Sequence, residues 1–457
     1  MYDVAILGGG PGGYAAALFA RNYNLNVALV EAERPGGTCL IRGCIPTKQL
    51  LETAAALRDT GDMGRLGVSV EHVELDWSAA MRRKQDTVEG LVNGLGGLLK
   101  QRGVDVITGH GRLVGPDTLQ VVAAEGTTTQ IEAKSLVVAT GARPRTLPGF
   151  TVDGSAVVTS DEALEWKELP ARVAIVGAGV IGCEFASMLC DLGSQVHVFE
   201  VAKQILPGAD RTGSKYLQNQ LRRRGVTFHL GAATTPPVVT ADAVTIGSVD
   251  AMVEVDSVLV AVGRAPNTAD IGLETLGVDM ESGSIRVNRE TMETSIGGVY
   301  AVGDVVAGTP QLAHVAFAEG IAAAVHIATG ATRPVPYDVA PRVVYTHPEY
   351  AELGRVDNGD PGDGEGIISA KHALNGNAKA IISGSPLGFS KIYRRPNGPV
   401  VGASLVAPMA GELINELMYL VGWQATPEEA SEYLHAHPSV SEVIGESLMD
   451  ATGMALH

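Results

Sequence analysis

The chain has 457 residues, enough for roughly two to four domains, and its 45% hydrophobic and 19% charged residues are those of an ordinary soluble globular protein. Its 34 basic and 51 acidic side chains give a net charge of −17, which argues against a nucleic-acid or anionic-membrane surface. No apolar run reaches the roughly 18 residues of a membrane helix, and the chain opens directly into a strand pattern. We therefore expect no signal segment and a cytoplasmic location.

The first predicted unit consists of a strand, a loop and a helix, and it contains three spaced glycines. The apolar run from Val4 to Leu7 leads into Gly8, Gly10 and Gly13 in the pattern G-x-G-x-x-G, and a second strand ends at Glu31. Glycines at this spacing let a pyrophosphate approach the helix N-terminus, and an acid at the strand end can accept a hydrogen bond from a ribose hydroxyl. Because the chain has 56 glycines, the pattern alone is a weak signal.

Two of the four cysteines follow, in the segment from Gly36 to Lys48 that reads GGTCLIRGCIPTK. Pro46 and the helix formers after it predict that Cys44 lies at a helix N-terminus, where the dipole and Lys48 favour a thiolate. Cys39, on the glycine-rich side, is then expected to be the more accessible sulfur. We interpret the two as a redox pair. A structural disulfide, a metal site and two inert core cysteines are the alternatives.

A second glycine pattern repeats the first at an offset of 169 positions (177 − 8). Gly177, Gly179 and Gly182 again follow an apolar strand, and Glu200 lies 23 positions after the first of them, the spacing of the first unit. Two such units predict two dinucleotide-binding domains. Glu200 suits the ribose diol of NAD and repels the 2′-phosphate of NADP, although Lys203 is a nearby cation.

Further elements follow in order along the chain. The pattern predicts a helix over Asp76 to Gln101, a hairpin around Glu125-Gly126, and an apolar strand that runs into Gly141. A strand ending at Gly263 closes the second unit, and another delivers Asp304 ahead of a long helix. Taken alone, Asp304 could equally be a turn or N-cap residue.

From about Arg333, shorter strands and helices predict a third, α+β domain that includes a last helix pair. The acidic, glycine-rich run 358–366 is interpreted as a solvated loop. His437 precedes a proline and lies five residues before Glu442. An imidazole held by a carboxylate can take a proton from a thiol, but a histidine before proline is more often a capping or surface residue, and His435 is a rival.

Together these motifs resemble the flavin-dependent pyridine nucleotide–disulfide oxidoreductases, the family that holds dihydrolipoyl dehydrogenase, glutathione reductase and mercuric reductase. The resemblance covers essentially the whole chain. It implies an FAD site formed by Gly8, Gly10, Gly13, Glu31, Thr38, Lys48, Gly111, Thr140, Gly141, Gly303, Asp304, Leu312, Ala313 and His314. It implies an NAD site formed by Gly177, Gly179, Gly182, Glu184, Glu200 and Gly263, and catalytic roles for Cys39, Cys44, Lys48, His437 and Glu442.

The resemblance also implies the architecture, which is α/β with two Rossmann-like domains and a C-terminal α+β dimerisation domain. The FAD-binding domain is expected over 1–145, completed by 266–332, the NAD-binding domain over 146–265, and the interface domain over 333–457. A homodimer is implied, in which the His437–Glu442 pair of one subunit reaches the disulfide of the other. No metal site is expected.

Within the family, the chain resembles most the members that oxidise dihydrolipoamide to lipoamide with NAD, on the lipoyl domains of a 2-oxo acid dehydrogenase or glycine-cleavage complex. Glu200 argues against the glutathione-reducing members, and the C-terminus lacks the second cysteine pair of mercuric reductase. Ile41-Arg42 departs from the usual Asn-Val, which leaves substrate entry open. The alternatives are an NADH-dependent reductase of another disulfide or electron acceptor, and a flavin-bearing docking protein without redox activity.

Overall fold

The computed structural model describes residues 1–240, 243–248, 251–359 and 366–456. They divide into two compact units. Unit 1 comprises Met1–Gln49, Ser78–Arg145 and Arg264–Tyr337, and unit 2 comprises Leu50–Trp77, Thr146–Gly263 and Asp338–His457. Residues 360–365, most of the run interpreted as a solvated loop, lie outside the described part of the chain.

The helices largely follow the sequence pattern. They are α1 Pro11–Arg21, α2 Gly37–Arg42, α3 Cys44–Gly61, α4 Trp77–Gln101, α5 Ser160–Ala163, α6 Val180–Asp191, α7 Arg211–Arg223, α8 Leu273–Leu276, α9 Ala313–Thr329, α10 Ala378–Ile382, α11 Ala410–Gly422, α12 Pro427–Ala430 and α13 Glu442–Thr452. The helix predicted from Asp76 is confirmed as α4. The second helix of the predicted C-terminal pair is only the short α12, so that prediction was too long.

The strands, in chain order, are β1 Tyr2–Leu7, β2 Val27–Glu31, β3 Val104–Thr108, β4 His110–Gly115, β5 Thr118–Val122, β6 Thr128–Val138, β7 Ala142–Pro144, β8 Val157–Val158, β9 Arg172–Val176, β10 Gln195–Glu200, β11 Thr227–Leu230, β12 Val238–Val239, β13 Val244–Ser248, β14 Ala251–Val255, β15 Ser257–Val260, β16 Arg264–Pro266, β17 Met280–Glu281, β18 Ser284–Ile285, β19 Val299–Ala301, β20 Arg342–Val344, β21 Glu349–Gly354, β22 Ile368–Ala373, β23 Phe389–Arg394 and β24 Val400–Ala407. The predicted hairpin is confirmed as β5 and β6, which pair antiparallel.

Unit 1 is organised around a parallel sheet in the order β3-β2-β1-β6, with β19 parallel to β6. Val4 and Ile6 of β1 pack in one core with α1 and α9, whereas Ala5 and Leu7 pack in a second core on the other face. A strand buried on both faces needs an uninterrupted apolar run, which is why β1 reads VAIL. The carboxyl ends of these strands deliver Gly8 and Glu31 to the same edge of the sheet.

Unit 2 contains a second parallel sheet, in the order β11-β10-β9-β15-β8, and an antiparallel sheet in the order β20-β21-β24-β23-β22. The parallel sheet has a core that includes Phe199 and Val260, and the antiparallel sheet has its own core with α11 and α13. Two Rossmann-like sheets and a C-terminal α+β region confirm the predicted fold class. The three domain boundaries stay a prediction, and residues Leu50–Trp77, expected in the first domain, group with unit 2.

Candidate active site

The two cysteines of the redox segment are adjacent in unit 1. Cys39 lies in α2, and Cys44 is the first residue of α3, so the predicted helix N-terminus is confirmed. Both are unbridged thiols, and the Cys39 thiol hydrogen-bonds to Cys44. This hydrogen bond is the largest cause that raises the pKa of the Cys39 thiol, burial is the next, and Lys48 opposes both. The surroundings of Cys39 therefore disfavour its thiolate form.

The predicted order of accessibility is wrong. Cys44 is exposed and Cys39 is half-buried. The reason is that the glycine-rich side of the segment is not loose, since residues Gly37–Arg42 form the helical turn α2.

The first glycine motif forms a cradle at the end of β1. Gly8 has φ +106°, and a Cβ on it would lie 2.3 Å from the carbonyl oxygen of Ala139, so only glycine fits. A Cβ on Gly13 would lie 1.9 Å from the Gly8 carbonyl oxygen. The Glu31 carboxylate accepts a hydrogen bond from the Gly9 N–H at 2.7 Å, which brings the acid against the loop.

The second glycine motif, in unit 2, has the same geometry. Gly177 has φ +104° with a Cβ position 2.3 Å from the carbonyl oxygen of Ala261, and a Cβ on Gly182 would lie 2.0 Å from the Gly177 carbonyl oxygen. The Glu200 carboxylate accepts from the Ala178 N–H at 2.8 Å, as Glu31 does from Gly9. The repeat seen in the sequence is therefore a repeat of backbone geometry and of the acid that supports it.

Asp304 follows β19 and lies beside two other polar residues of unit 1. Its carboxylate is 3.9 Å from Arg264 Nε, and Arg264 Nη2 lies 3.4 Å from Thr38 Oγ1. Burial raises the pKa of Asp304, and Arg264 opposes the shift. Within the described residues, the buried Arg264 Nε has no hydrogen-bond acceptor. A buried, incompletely paired guanidinium next to Thr38 fits an anionic group such as the pyrophosphate of FAD.

Asn267 fixes the turn formed by Ala139, Thr140 and Gly141. The Thr140 hydroxyl donates to the Asn267 carbonyl oxygen at 2.6 Å, and the Asn267 side chain donates to the Thr140 carbonyl oxygen at 3.0 Å. The Asn267 N–H donates to the Gly141 carbonyl oxygen at 2.8 Å. These reciprocal bonds hold the backbone that the resemblance places at FAD.

Other predicted FAD residues take ordinary structural places in unit 1. Leu312 is the N-cap of α9, and Ala313 and His314 form its first turn. Gly111 lies in β4, where a Cβ would come within 2.5 Å of the Leu7 side chain. Packing against the core therefore already explains the glycine at 111.

Three residues predicted to bind NAD have defined positions in unit 2. Glu184 is buried in α6, and its carboxylate accepts from the Tyr345 N–H at 3.0 Å. Gly263, after β15, has φ +106°, which favours glycine. Gly179 is the N-cap of α6, the position expected for a pyrophosphate-binding helix.

His437 and Glu442 form the predicted pair. His437 Nδ1 lies 2.8 Å from Glu442 Oε1, and 72% of the histidine side chain is exposed, so Nε2 can meet a second molecule. The Ser439 N–H, more than His437, lowers the pKa of Glu442 and keeps it ionised. The residues between the histidine and Glu442 are not helical, so a turn, rather than the helical spacing, brings the two together.

His435 is placed differently. Its Nε2 lies 2.8 Å from Glu416 Oε1, and a Cβ on Gly445 would lie 2.7 Å from its Nδ1, so both ring nitrogens face protein. The Glu416 hydrogen bond is the main cause that raises the pKa of His435. This packing favours His437 over His435 as the group that reaches a substrate.

The sequence patterns did not identify two residues near the site. Arg264 directly follows Gly263, and Glu319 is the one carboxylate in the otherwise apolar helix sequence of α9. An isolated charge on a mostly apolar helix was the signal that could have identified Glu319.

None of the helices in the described part of the chain combines the length and the apolar composition that a membrane span needs.

Comparison with known proteins agrees with this geometry. The sequence model of the pyridine nucleotide-disulphide oxidoreductases matches residues 2–320, and that of their dimerisation domain matches residues 340–448. The dihydrolipoyl dehydrogenase of Bacillus subtilis (strain 168) is 39% identical over 472 residues, covering 100% of this chain and 99% of the relative.

Two solved structures show the same fold over the whole chain. LpdA of Mycobacterium tuberculosis superposes with a TM-score of 0.92 at 29% identity, covering 98% of this chain and 99% of its own. The HOCl-induced flavoprotein disulfide reductase RclA of Escherichia coli superposes with a TM-score of 0.86 at 26% identity, covering 98% and 99%. The chain therefore belongs to the pyridine nucleotide-disulphide oxidoreductase family, whose enzymes use FAD and NAD(H).

Proposed function

We propose that the chain is a dihydrolipoyl dehydrogenase, which oxidises dihydrolipoamide to lipoamide and reduces NAD to NADH. The observation that carries this choice within the family is the full-length similarity to relatives of that name. The adjacent pair Cys39 and Cys44, at the start of α3, supplies the redox group that the reaction needs.

The electronic difference between the two sulfurs supports a direction of attack. A thiolate of dihydrolipoamide attacks Cys39 Sγ of the oxidised pair, the Cys39–Cys44 bond breaks, and Cys44 leaves as a thiolate. The better leaving sulfur is the one with the lower pKa, and the reduced pair keeps its proton on Cys39. The second thiol of the substrate then attacks the mixed disulfide, which releases lipoamide and the Cys39 thiol.

His437 supplies the base for these steps. Nε2 of the imidazole takes the substrate thiol proton, while Glu442, on Nδ1, fixes the tautomer and stabilises the imidazolium. In this proposal the pair of one subunit serves the disulfide of the other. The match to the dimerisation domain supports a homodimer.

The two glycine cradles divide the cofactors between them. The cradle of Gly8 and Gly13, with Glu31, Thr38, Asp304 and the Thr140–Gly141 turn, would hold FAD, and that of Gly177 and Gly182, with Glu184, Glu200 and Gly263, would hold NAD. Bound FAD would accept the electron pair of the dithiol and pass it to NAD as a hydride. Lys48 places a cation near the sulfurs and favours the thiolate.

The lipoyl domains of a 2-oxo acid dehydrogenase or glycine-cleavage complex are the proposed source of the dithiol, and the cytoplasm is the proposed compartment. The boundaries 1–145 with 266–332, 146–265 and 333–457 are the proposed domain scheme.

A second candidate is a reductase that passes electrons from NADH to another disulfide or acceptor. Similarity to a flavoprotein disulfide reductase favours it. Ile41-Arg42, where most members carry Asn-Val, leaves substrate entry open, and Arg42 forms an ion pair with Glu33. A docking protein without redox activity is disfavoured, because the cysteine pair and the His437–Glu442 pair are both present with the required contacts.

The two candidates differ in their acceptors. The purified, FAD-loaded protein is given NADH with either lipoamide or glutathione disulfide, and NADH consumption is followed. Turnover of lipoamide at least about 100-fold faster supports the proposal, since a site built for one thiol partner discriminates by about that factor. Equal rates, or faster reduction of glutathione disulfide, would contradict it.

A further inference from the structure

Glu319 is a fully buried carboxylate on α9 that the mechanism does not use. Its exposed fraction is 0%. Oε2 accepts a hydrogen bond from the Gly303 N–H at 2.5 Å, and Oε1 accepts one from the Tyr337 hydroxyl at 2.9 Å. The Thr309 hydroxyl, at the other end of the loop 303–309, donates to the Val306 carbonyl oxygen at 3.5 Å. Gly303 begins this loop, which presents Asp304, so the Glu319 side chain holds the start of the loop.

A second layer supports this carboxylate. The Arg289 guanidinium lies over the Tyr337 ring, 5.5 Å from its centroid, and Arg289 Nη2 donates to the Gly308 carbonyl oxygen at 3.0 Å. Tyr337 is therefore fixed by the same cation that binds the end of the loop. Glu319, Tyr337 and Arg289 form a chain of contacts around residues 303–309, all within unit 1.

The buried carboxylate is costly for the fold. Burial raises the pKa of Glu319 to about 7, and the nearby Asp304 adds to the shift, while the hydrogen bonds from Gly303 and Tyr337 oppose it. An apolar side chain of the same size would fill the position without that cost. Packing alone therefore does not explain an acid at 319, whereas fixing the loop does.

We propose that Glu319, backed by Tyr337 and Arg289, is a positioning residue that fixes the loop 303–309 and so holds Asp304 in place for FAD. The inference rests on the FAD-binding role proposed above for Asp304. It predicts that the contacts of Glu319 slow the release of FAD, although the residue itself need not touch the cofactor.

The test compares side chains of similar size at position 319. Glu319→Met removes both acceptor oxygens, whereas Glu319→Gln keeps one. FAD release from the diluted holoenzyme is followed by the rise of flavin fluorescence, beside the unfolding midpoint of each variant. We expect about ten-fold faster release for the Met variant and a smaller increase for the Gln variant, since a buried donor left without an acceptor weakens the loop by about that factor. A role in packing alone predicts that the two variants behave alike.

Glu290→Gln is the matched control, because Glu290 is exposed in the same unit and the change removes the same charge. The Glu290→Gln variant should release FAD at the wild-type rate. A Met variant that releases FAD at the wild-type rate would overturn the proposal. Should the variants at 319 not fold, Tyr337→Phe decides: faster release supports the proposal and an unchanged rate refutes it. A wild-type protein that retains FAD but does not oxidise dihydrolipoamide would refute the proposed function and leave this inference intact.

Discussion

Cys44 begins α3, and the charge of Lys48 acts on the neighbouring Cys39 thiol. The hydrogen bond to Cys44 and burial raise the pKa of the Cys39 thiol, and Lys48 opposes both. A helix N-terminus favours an anion by a fraction of a kcal/mol to about 2 kcal/mol, so the position of Cys44 favours a thiolate there. The surroundings of the two sulfurs therefore differ.

Cys44→Ser should abolish dithiol turnover and leave FAD bound, since serine cannot form the disulfide but keeps the helix terminus. The measurement is the rate of dihydrolipoamide oxidation beside the flavin absorbance of the purified protein. Cys190→Ser is the control, because Cys190 donates to the Arg224 carbonyl oxygen at 2.8 Å and a serine hydroxyl can replace it. Loss of FAD from the Cys44 variant would instead make the segment structural.

His437→Gln should slow dithiol oxidation by about 10²-fold or more, as expected when a general base is lost. His435→Gln is the comparison, since that ring is held by Glu416 and packs on Gly445. We expect the His435 variant to keep most of its rate and to lose stability instead. If the variant at 435 oxidised the dithiol more slowly than the variant at 437, His435 would be the base instead.

At the scale of elements, the two glycine units are the same device used twice. A methyl group on Gly13 or Gly182 would lie 1.9 or 2.0 Å from a backbone oxygen. Gly13→Ala should therefore abolish FAD binding, whereas Gly182→Ala should leave FAD bound and raise the KM for NAD by about ten-fold or more. The measurements are bound flavin per subunit and NAD kinetics.

Gly97→Ala is the control for these variants, because Gly97 is exposed in α4 and its Cβ position meets nothing within 4 Å. It should bind both cofactors normally and unfold at slightly higher denaturant, since alanine is the better helix former. Equal loss of FAD in the variants at 13 and 182 would contradict the division of the cofactors between the two units.

Much of the fold was readable from the sequence, because buried parallel strands need apolar runs and the glycine motifs have a fixed backbone geometry. The strand ends at Glu31 and Glu200 followed from the apolar runs and the glycine spacing, and the start of α3 from Pro46 and the helix formers after it. The pair His437–Glu442 was favoured only through the family resemblance, because its spacing also fits a capping or surface histidine. The greater exposure of Cys44 than of Cys39 could not be predicted, because it depends on the extra helical turn α2. Arg264 and Glu319 were missed because their partners, Asp304 and Gly303, lie 40 (304 − 264) and 16 (319 − 303) residues away in the sequence, beyond the reach of a short pattern.

At the scale of the whole molecule, the region that matches the dimerisation domain exposes large apolar side chains. Trp423 is 75% exposed, Tyr433 77% and Leu434 97%. Exposed apolar side chains of this size fit a subunit interface, which the match to the dimerisation domain supports. Leu434→Asp should shift the protein from dimer to monomer and abolish dithiol oxidation, while FAD stays bound. Sedimentation together with turnover tests this, and a fully active monomer would contradict the shared site.

We propose that the chain passes electrons from a dithiol to NAD. The most direct test is the initial rate of NADH formation when the FAD-loaded protein meets dihydrolipoamide and NAD, with NADP run in parallel. We expect fast turnover with NAD and much slower turnover with NADP, because Glu200 repels a 2′-phosphate. No turnover with either nucleotide, in a protein whose cysteines are still reduced by NADH, would contradict it.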